Sequence, residues 1–250
     1  MMHIAFKSDV GQNRTTNEDY VNWFTNSSKQ PLMILCDGMG GHRAGDVASE
    51  MAVSHMGQAW KETTFSSPES VSVWLLDAVQ KVNKLIFQKS LDFVDLDGMG
   101  TTLVAATYLN GQLVIAHVGD SRAYLYRDFQ FKQLTEDHSL VHELVKSGEL
   151  TDEEARNHPQ RNYITRAIGV KEKIQVDLTS MPILSGDLLL LCTDGLSSVL
   201  SDEDLKKVLK NWKSIDEKVT EFIDLANQAG GPDNISVLIA SFETGEEERT

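Results

Sequence analysis

Apolar residues recur along this chain in short runs, several alternating with polar ones as in Ala123-Tyr124-Leu125-Tyr126, the period of a strand with one buried face. Strand-like runs fall near 3–8, 20–25, 32–37, 102–109, 112–119, 122–127, 174–179, 187–193 and 235–242. Many are separated by short turns such as Asn110-Gly111, the grammar of an antiparallel meander. Two long stretches instead repeat at helical spacing. One runs from about Gly45 to Trp60; the other opens at Ser67-Pro68-Glu69 and places Val71, Leu75, Val79, Val82 and Ile86 on one face. Capping boxes at Thr151…Glu154 and Ser214…Glu217, and the acidic start Ser201-Asp202-Glu203-Asp204, announce later helices. Strands gathered together, with helices in pairs at intervals, predict an α+β layered fold and not βαβ alternation.

Composition narrows the functional classes. The 250 residues carry a formal net charge of −14, which argues against nucleic acid or an anionic membrane surface as partner. No apolar stretch approaches the ~20 residues of a membrane span. The opening MMHIAFKSDVG has no charged segment leading into an apolar one, so we expect no secretory leader and a cytoplasmic location. Cys36 and Cys192 lie inside apolar runs and read as reduced, buried residues. No linker or repeat divides the chain; we expect one domain over 1–243 and a solvated acidic tail over 244–250.

The chemistry lies where apolar runs stop. Asp37, Asp120, Asp194 and Asp233 stand in LMILCDGMGGH, LVIAHVGDSR, DLLLLCTDGL and GGPDNISVLIA, each at the end or the start of a strand-like run. One aspartate at a strand end is a turn. Several that converge would repel: two unit charges ~4 Å apart cost roughly 4 kcal/mol at an effective dielectric near 20. Convergence is tolerable with cations between them, and oxygen ligands select hard ions such as Mg²⁺ or Mn²⁺. The pattern predicts a metal-dependent hydrolase.

Other residues sharpen that expectation. Gly38-Met39-Gly40-Gly41 after Asp37 lets backbone approach an ion or phosphate, but has neither the lysine of a P-loop nor dinucleotide-binding spacing. His42 is either a proton donor to a leaving oxygen or a solvated loop histidine. Arg14 offers a planar fork that matches phosphoryl oxygens, and Glu18 with Asp19 would hold waters around the cations. The other histidines show no zinc-ligand spacing. A cysteine phosphatase places five residues between cysteine and arginine; Cys36 and Arg43 are separated by six, and Cys192 has no arginine close by.

Taken in order, SDVGQNRTTNEDY, CDGMGGHRAGDVAS, GMGTTLVAA, VGDSRAYLYR, LTEDHSLV, NYITRAIG, CTDGLSS and GGPDNISVLIA span Ser8 to Ala240, nearly the whole chain. This series resembles the metal-dependent protein phosphatases of the PP2C type in their compact bacterial form. The resemblance implies a four-layer α-β-β-α sandwich of two antiparallel sheets flanked by helix pairs. It implies Mn²⁺ or Mg²⁺ as cofactor: two ions bridged by Asp37, with Gly38, Asp194 and Asp233 as further ligands, and a possible third ion at Asp120 and Asp194. Arg14 matches the phosphate-holding arginine, His42 the general acid, and Asn234 a support for Asp233. Residues 138–166 correspond to a flap beside the active site.

The implied reaction is hydrolysis of phosphoserine and phosphothreonine in proteins by a metal-bridging hydroxide, without a phospho-enzyme. Implied partners are phosphoproteins, a serine/threonine kinase and its targets among them, met by a monomer. Two rivals share parts of the signal. A phospho-reader or scaffold of the same fold would be expected to lose the aspartates or Arg14, which are all present. A two-metal phosphodiesterase or nuclease would be expected to carry a basic stripe.

Overall fold

The computed structural model of the protein describes residues 2–40 and 44–243. Eleven strands form among them: β1 Met2–Asp9, β2 Asp19–Thr25, β3 Pro31–Met39, β4 Gly100–Thr101, β5 Leu103–Leu109, β6 Gln112–Val118, β7 Arg122–Arg127, β8 Gln130–Gln133, β9 Asp177–Pro182, β10 Leu188–Cys192 and β11 Ile235–Phe242. The helices are α1 Gly45–Lys61, α2 Pro68–Asp92, α3 Leu140–Lys146, α4 Asp152–Arg156, α5 Asp194–Ser197, α6 Asp202–Lys210 and α7 Ile215–Gln228. One antiparallel sheet has the order β1-β11-β10-β7-β8, the other β2-β3-β5-β6-β9 with β4 appended to β3.

Three apolar cores make four layers of these elements. Met56, Trp60, Leu75 and Ile86 of α1 and α2 cover Leu32, Ile34 and Leu103 on one sheet. Leu205 and Phe222 of α6 and α7 cover Leu190 and Ile239 on the other. Between the sheets, Met33, Leu35 and Ile115 meet Leu189, Leu191 and Leu238. Neighbouring residues such as Ile34 and Leu35 therefore point into different cores. That is why the central strands read as unbroken apolar runs. Each such side chain contributes about 1.5–3 kcal/mol by leaving water.

The helix starts follow their local chemistry. The Ser67 hydroxyl accepts from the amide of Ser70, and both capping boxes, at Thr151 with Glu154 and Ser214 with Glu217, are closed. Asn110 and Gly111 both have positive φ (51° and 77°), the two-residue turn that joins β5 to β6. Other features depart from the sequence expectation. The run expected at 174–179 becomes a strand only over 177–182; Ile174 and Val176 instead pack beside the α1–α2 core as irregular chain. β8 is unexpected because its turn, Asp128-Phe129, holds positive φ (48° and 62°) with no glycine or asparagine to signal it. The Asp194-Gly195 pair opens a one-turn helix where a turn was expected.

Candidate metal centre

The site lies where strands from both sheets end together. Asp19, first residue of β2, stands directly opposite Asp37 of β3 in the antiparallel register. The Asp37 backbone is clamped: its N–H donates to Thr102 Oγ1 at 2.9 Å, and its carbonyl accepts from Thr101 Oγ1 at 2.9 Å and the Thr102 amide at 2.8 Å. At Gly38 a Cβ would lie 2.1 Å from the Gly45 carbonyl oxygen and 2.5 Å from that of Glu18, so only glycine lets β3 pass the start of α1. From the other sheet, Thr193 Oγ1 donates to Asp19 Oδ2 at 2.9 Å, and Asp194 follows at the head of α5.

Asp233 and Asn234 enter just before β11. The Asn234 amide donates to Asp233 Oδ1 at 2.8 Å, while the Asn234 side chain accepts from the Glu18 amide at 2.8 Å and donates to the Val10 and Thr16 carbonyls at 2.9 Å each. Asn234 thus ties three points of the distant 10–18 stretch into one wall. Asp120 arrives in the turn between β6 and β7, beside Ser121, whose hydroxyl shares a 2.6 Å hydrogen bond with Thr102 Oγ1.

The carboxylates oppose one another's charge. Burial, then Asp19, Asp194, Asp120 and Asp233, hold the Asp37 carboxyl well above the usual range. Asp120 is pushed up to about 8, by burial and then by Asp194 and Asp137. Asp19 also rises to about 8, chiefly by burial, against the lowering effect of its hydroxyl donors. Asp194 rises by burial and by Asp233.

The donor set fits hard divalent cations. Among the described residues, Asp19 Oδ1 and Asp120 Oδ1 are buried and find no hydrogen-bond partner. Unpartnered carboxylate oxygens facing like charges have a use where a cation meets them.

Arg14 reaches the rim and donates to Asp233 Oδ2 at 2.9 Å, with about half of its side chain exposed. The Glu18 carboxyl lies against the first turn of α1, where a Cβ on Gly45 would be 2.9 Å from its Oε2. The structure therefore gathers Asp37, Gly38, Asp120, Asp194, Asp233, Glu18, Asp19, Asn234 and Arg14 at one edge; His42 lies outside the described residues. Sequence reasoning missed the supporting hydroxyls of Thr101, Thr102, Ser121 and Thr193. It found no zinc-ligand spacing among the histidines, and the folded chain brings His117 and His138 together with Asp177 in a compact cluster behind Asp120.

This geometry can be set against known proteins. The model of the family "Protein phosphatase 2C" matches residues 10–238. The chain belongs to the protein phosphatase 2C family. The serine/threonine phosphatase stp of Listeria monocytogenes serotype 4b is 50% identical to this family member over 239 residues, covering 95% of either chain. The solved serine/threonine phosphatase of S. agalactiae superposes with a TM-score of 0.94 at 44% identity, over 97% of this phosphatase and 100% of that chain. The catalytic domain of the serine/threonine protein phosphatase PstP, solved in complex with two manganese ions, gives a TM-score of 0.86 at 35% identity, over 97% and 99% of the two chains. Among the described residues, no helix of this phosphatase is long and apolar enough to cross a membrane.

Proposed function

We propose that this protein phosphatase 2C removes phosphate from phosphoserine and phosphothreonine in proteins, in a reaction that depends on Mn²⁺ or Mg²⁺. The observation that carries the reading is the gathering of Asp19, Asp120, Asp194 and Asp233 close enough to raise the Asp37 carboxyl, with the buried Asp19 Oδ1 and Asp120 Oδ1 left without hydrogen-bond partners. When bound, the divalent cations activate water for in-line attack and draw charge from the phosphoryl oxygens.

The chain's own residues divide the remaining work. Asp37, the Gly38 carbonyl, Asp194 and Asp233 would hold two cations, with Asp37 shared between them. Asp120 and Asp194 would hold a third. Glu18 and Asp19 would fix waters around the ions, and Asn234 holds Asp233 in place through the wall it ties together. Arg14 turns its fork from Asp233 to the phosphoryl group, orienting it and balancing charge in the transition state. His42 gives a proton to the serine or threonine oxygen as it leaves.

Residues 138–166 leave β8, form α3 and α4, and return beside the site through the Ser139–Ile164 bridge, a placement suited to a flap over bound phosphoprotein. We assign residues 1–243 to one catalytic domain that works as a cytoplasmic monomer on phosphoproteins, among them a serine/threonine kinase and its targets. The test is phosphate release from a phosphothreonine peptide with Mn²⁺, with Mg²⁺ and with chelator. Release with either metal and none with chelator is expected; release that survives chelation overturns the reading.

A further inference from the structure

The turn that carries Asp120 is held from behind by one histidine. His138, at the root of the 138–166 segment, clasps Gly119 twice: its backbone N–H donates to the Gly119 carbonyl at 2.9 Å, and its Nδ1 accepts from the Gly119 N–H at 3.0 Å. Nδ1 therefore carries no proton, and Nε2–H donates to Asp177 Oδ2 at 3.2 Å. Asp177 is fixed in turn by Arg166, whose guanidinium donates to Oδ1 at 2.8 Å. His117 stacks on His138 at 4.7 Å between centroids, and its Nε2 meets the Glu136 carbonyl at 2.9 Å. His138 is only 3% exposed, and burial and then His117 lower its pKa, so the ring stays neutral and keeps this tautomer.

Gly119 itself has no slack. It sits at φ +107°, and a Cβ there would lie 2.6 Å from the Thr102 side chain, the same threonine that holds Asp37. The chain Arg166–Asp177–His138–Gly119 thus ends one residue before Asp120.

The ligand atoms of His117, His138 and Asp177 come within 4.8 Å of one another, but the cluster is poorly made for a metal. The only proton of His138 is on the nitrogen that would have to bind, and the Arg166 charge already occupies Asp177.

We infer that His138 is a positioning residue: locked by Asp177 and Arg166, it fixes the Gly119–Asp120 turn and couples the root of the flap to the third cation site proposed at Asp120 and Asp194, which shares only Asp194 with the other two and is expected to be the weakest. The inference rests on Asp120 being a ligand of that site. The same clasp joins the flap directly, because the His138 carbonyl accepts from Thr165 and the Leu140 amide donates to Tyr163, both at 2.8 Å.

The experiment is an Mn²⁺ titration of the full chain followed by the electron paramagnetic resonance of free Mn²⁺, with melting in chelator as a fold control. The variants are His138→Ala, His138→Gln, Asp177→Ala and the double alanine variant. His138→Ala is expected to weaken the weakest site about tenfold or more while the tighter two stay within about twofold. His138→Gln, which keeps an acceptor and a donor, recovers most of that loss. Asp177→Ala reproduces it, and the double variant adds little. Unchanged affinities, or equal weakening of all sites in step with a lowered melting temperature, overturn the inference. So does an unaltered protein with only two Mn²⁺ sites. An unaltered protein that binds no Mn²⁺ overturns the underlying metal-dependent reading as well.

Discussion

Asp19 and Asp37 face each other across the β2–β3 ladder, two acidic side chains in a register position where like charges destabilise a sheet. The structure sets two hydroxyls near them to keep them there: the Thr193 hydroxyl donates to Asp19, and the Thr102 hydroxyl accepts from the Asp37 backbone N–H. Replacing Asp37 with asparagine removes one of the opposed charges and a proposed cation ligand at once. Asp37→Asn should lower kcat by more than about a hundredfold, beyond the usual cost of losing an outer-shell partner. In chelator it should melt no lower than the unaltered protein. A kcat within tenfold of the original would contradict this.

The same repulsion gives a pH dependence with a definite sign. Asp19 and Asp120 are held at about 8 in the folded protein, above the usual aspartate value near 4. The folded state then binds more protons than the unfolded one, so stability is greatest below pH ~4 for these groups and is lost as pH rises towards about 8. In chelator, melting temperature should fall from pH 5.5 to 8.5. With excess Mn²⁺, which competes with those protons, the fall should shrink or reverse. Parallel curves with and without the metal would count against the cluster.

Gly195 permits a close approach that no other residue allows, since a Cβ there would be 1.9 Å from the Asn234 carbonyl oxygen. Gly195→Ala must push α5 away from the Asp233-Asn234 segment, separating Asp194 from Asp233. The expected result is about 1–3 kcal/mol of destabilisation or more, with a raised Mn²⁺ requirement. Gly111→Ala meets open space and only a strained φ, so it should cost about 1 kcal/mol and leave the Mn²⁺ requirement alone. Denaturant melts and Mn²⁺ titrations of the two variants check the contrast.

These contrasts also show what the amino-acid sequence makes legible. Aspartates at strand ends and the capping boxes are local signals, and Asp120, Asp194 and Asp233 lie near enough to Asp37 to raise its carboxyl. The hydroxyls that hold them are not local: Thr102 sits 65 residues from Asp37 and Thr193 174 residues from Asp19, spacings that no period reveals. α3 and α5, of 7 and 4 residues, are too short to display a helical face. His117 and Asp177 converge because β6 pairs with β9, and His138 joins them through its bonds to Gly119 and Asp177.

Arg14 shares its guanidinium with Asp233. Arg14→Ala should reduce kcat/KM for a phosphothreonine peptide by about a hundredfold, and Arg14→Lys should recover only part, because an ammonium lacks the planar fork. Removing a positive charge from Asp233 should leave cation affinity equal or tighter. A weakened cation affinity in Arg14→Ala would show that the arginine supports the metal centre and not the phosphoryl group.

His42→Ala separates leaving groups. A phenolate departs without a proton, so p-nitrophenyl phosphate hydrolysis should suffer less than phosphopeptide hydrolysis, where an alkoxide must be protonated. Equal losses in kcat for the two substrates would remove His42 from the acid role.

The most direct measurement is anomalous diffraction at the manganese edge from crystals of the unaltered protein soaked in Mn²⁺. At least two peaks should appear among Asp37, Asp194 and Asp233, with Asp37 reaching both. A pocket without peaks at millimolar Mn²⁺, in protein that still hydrolyses a phosphothreonine peptide, would contradict the account.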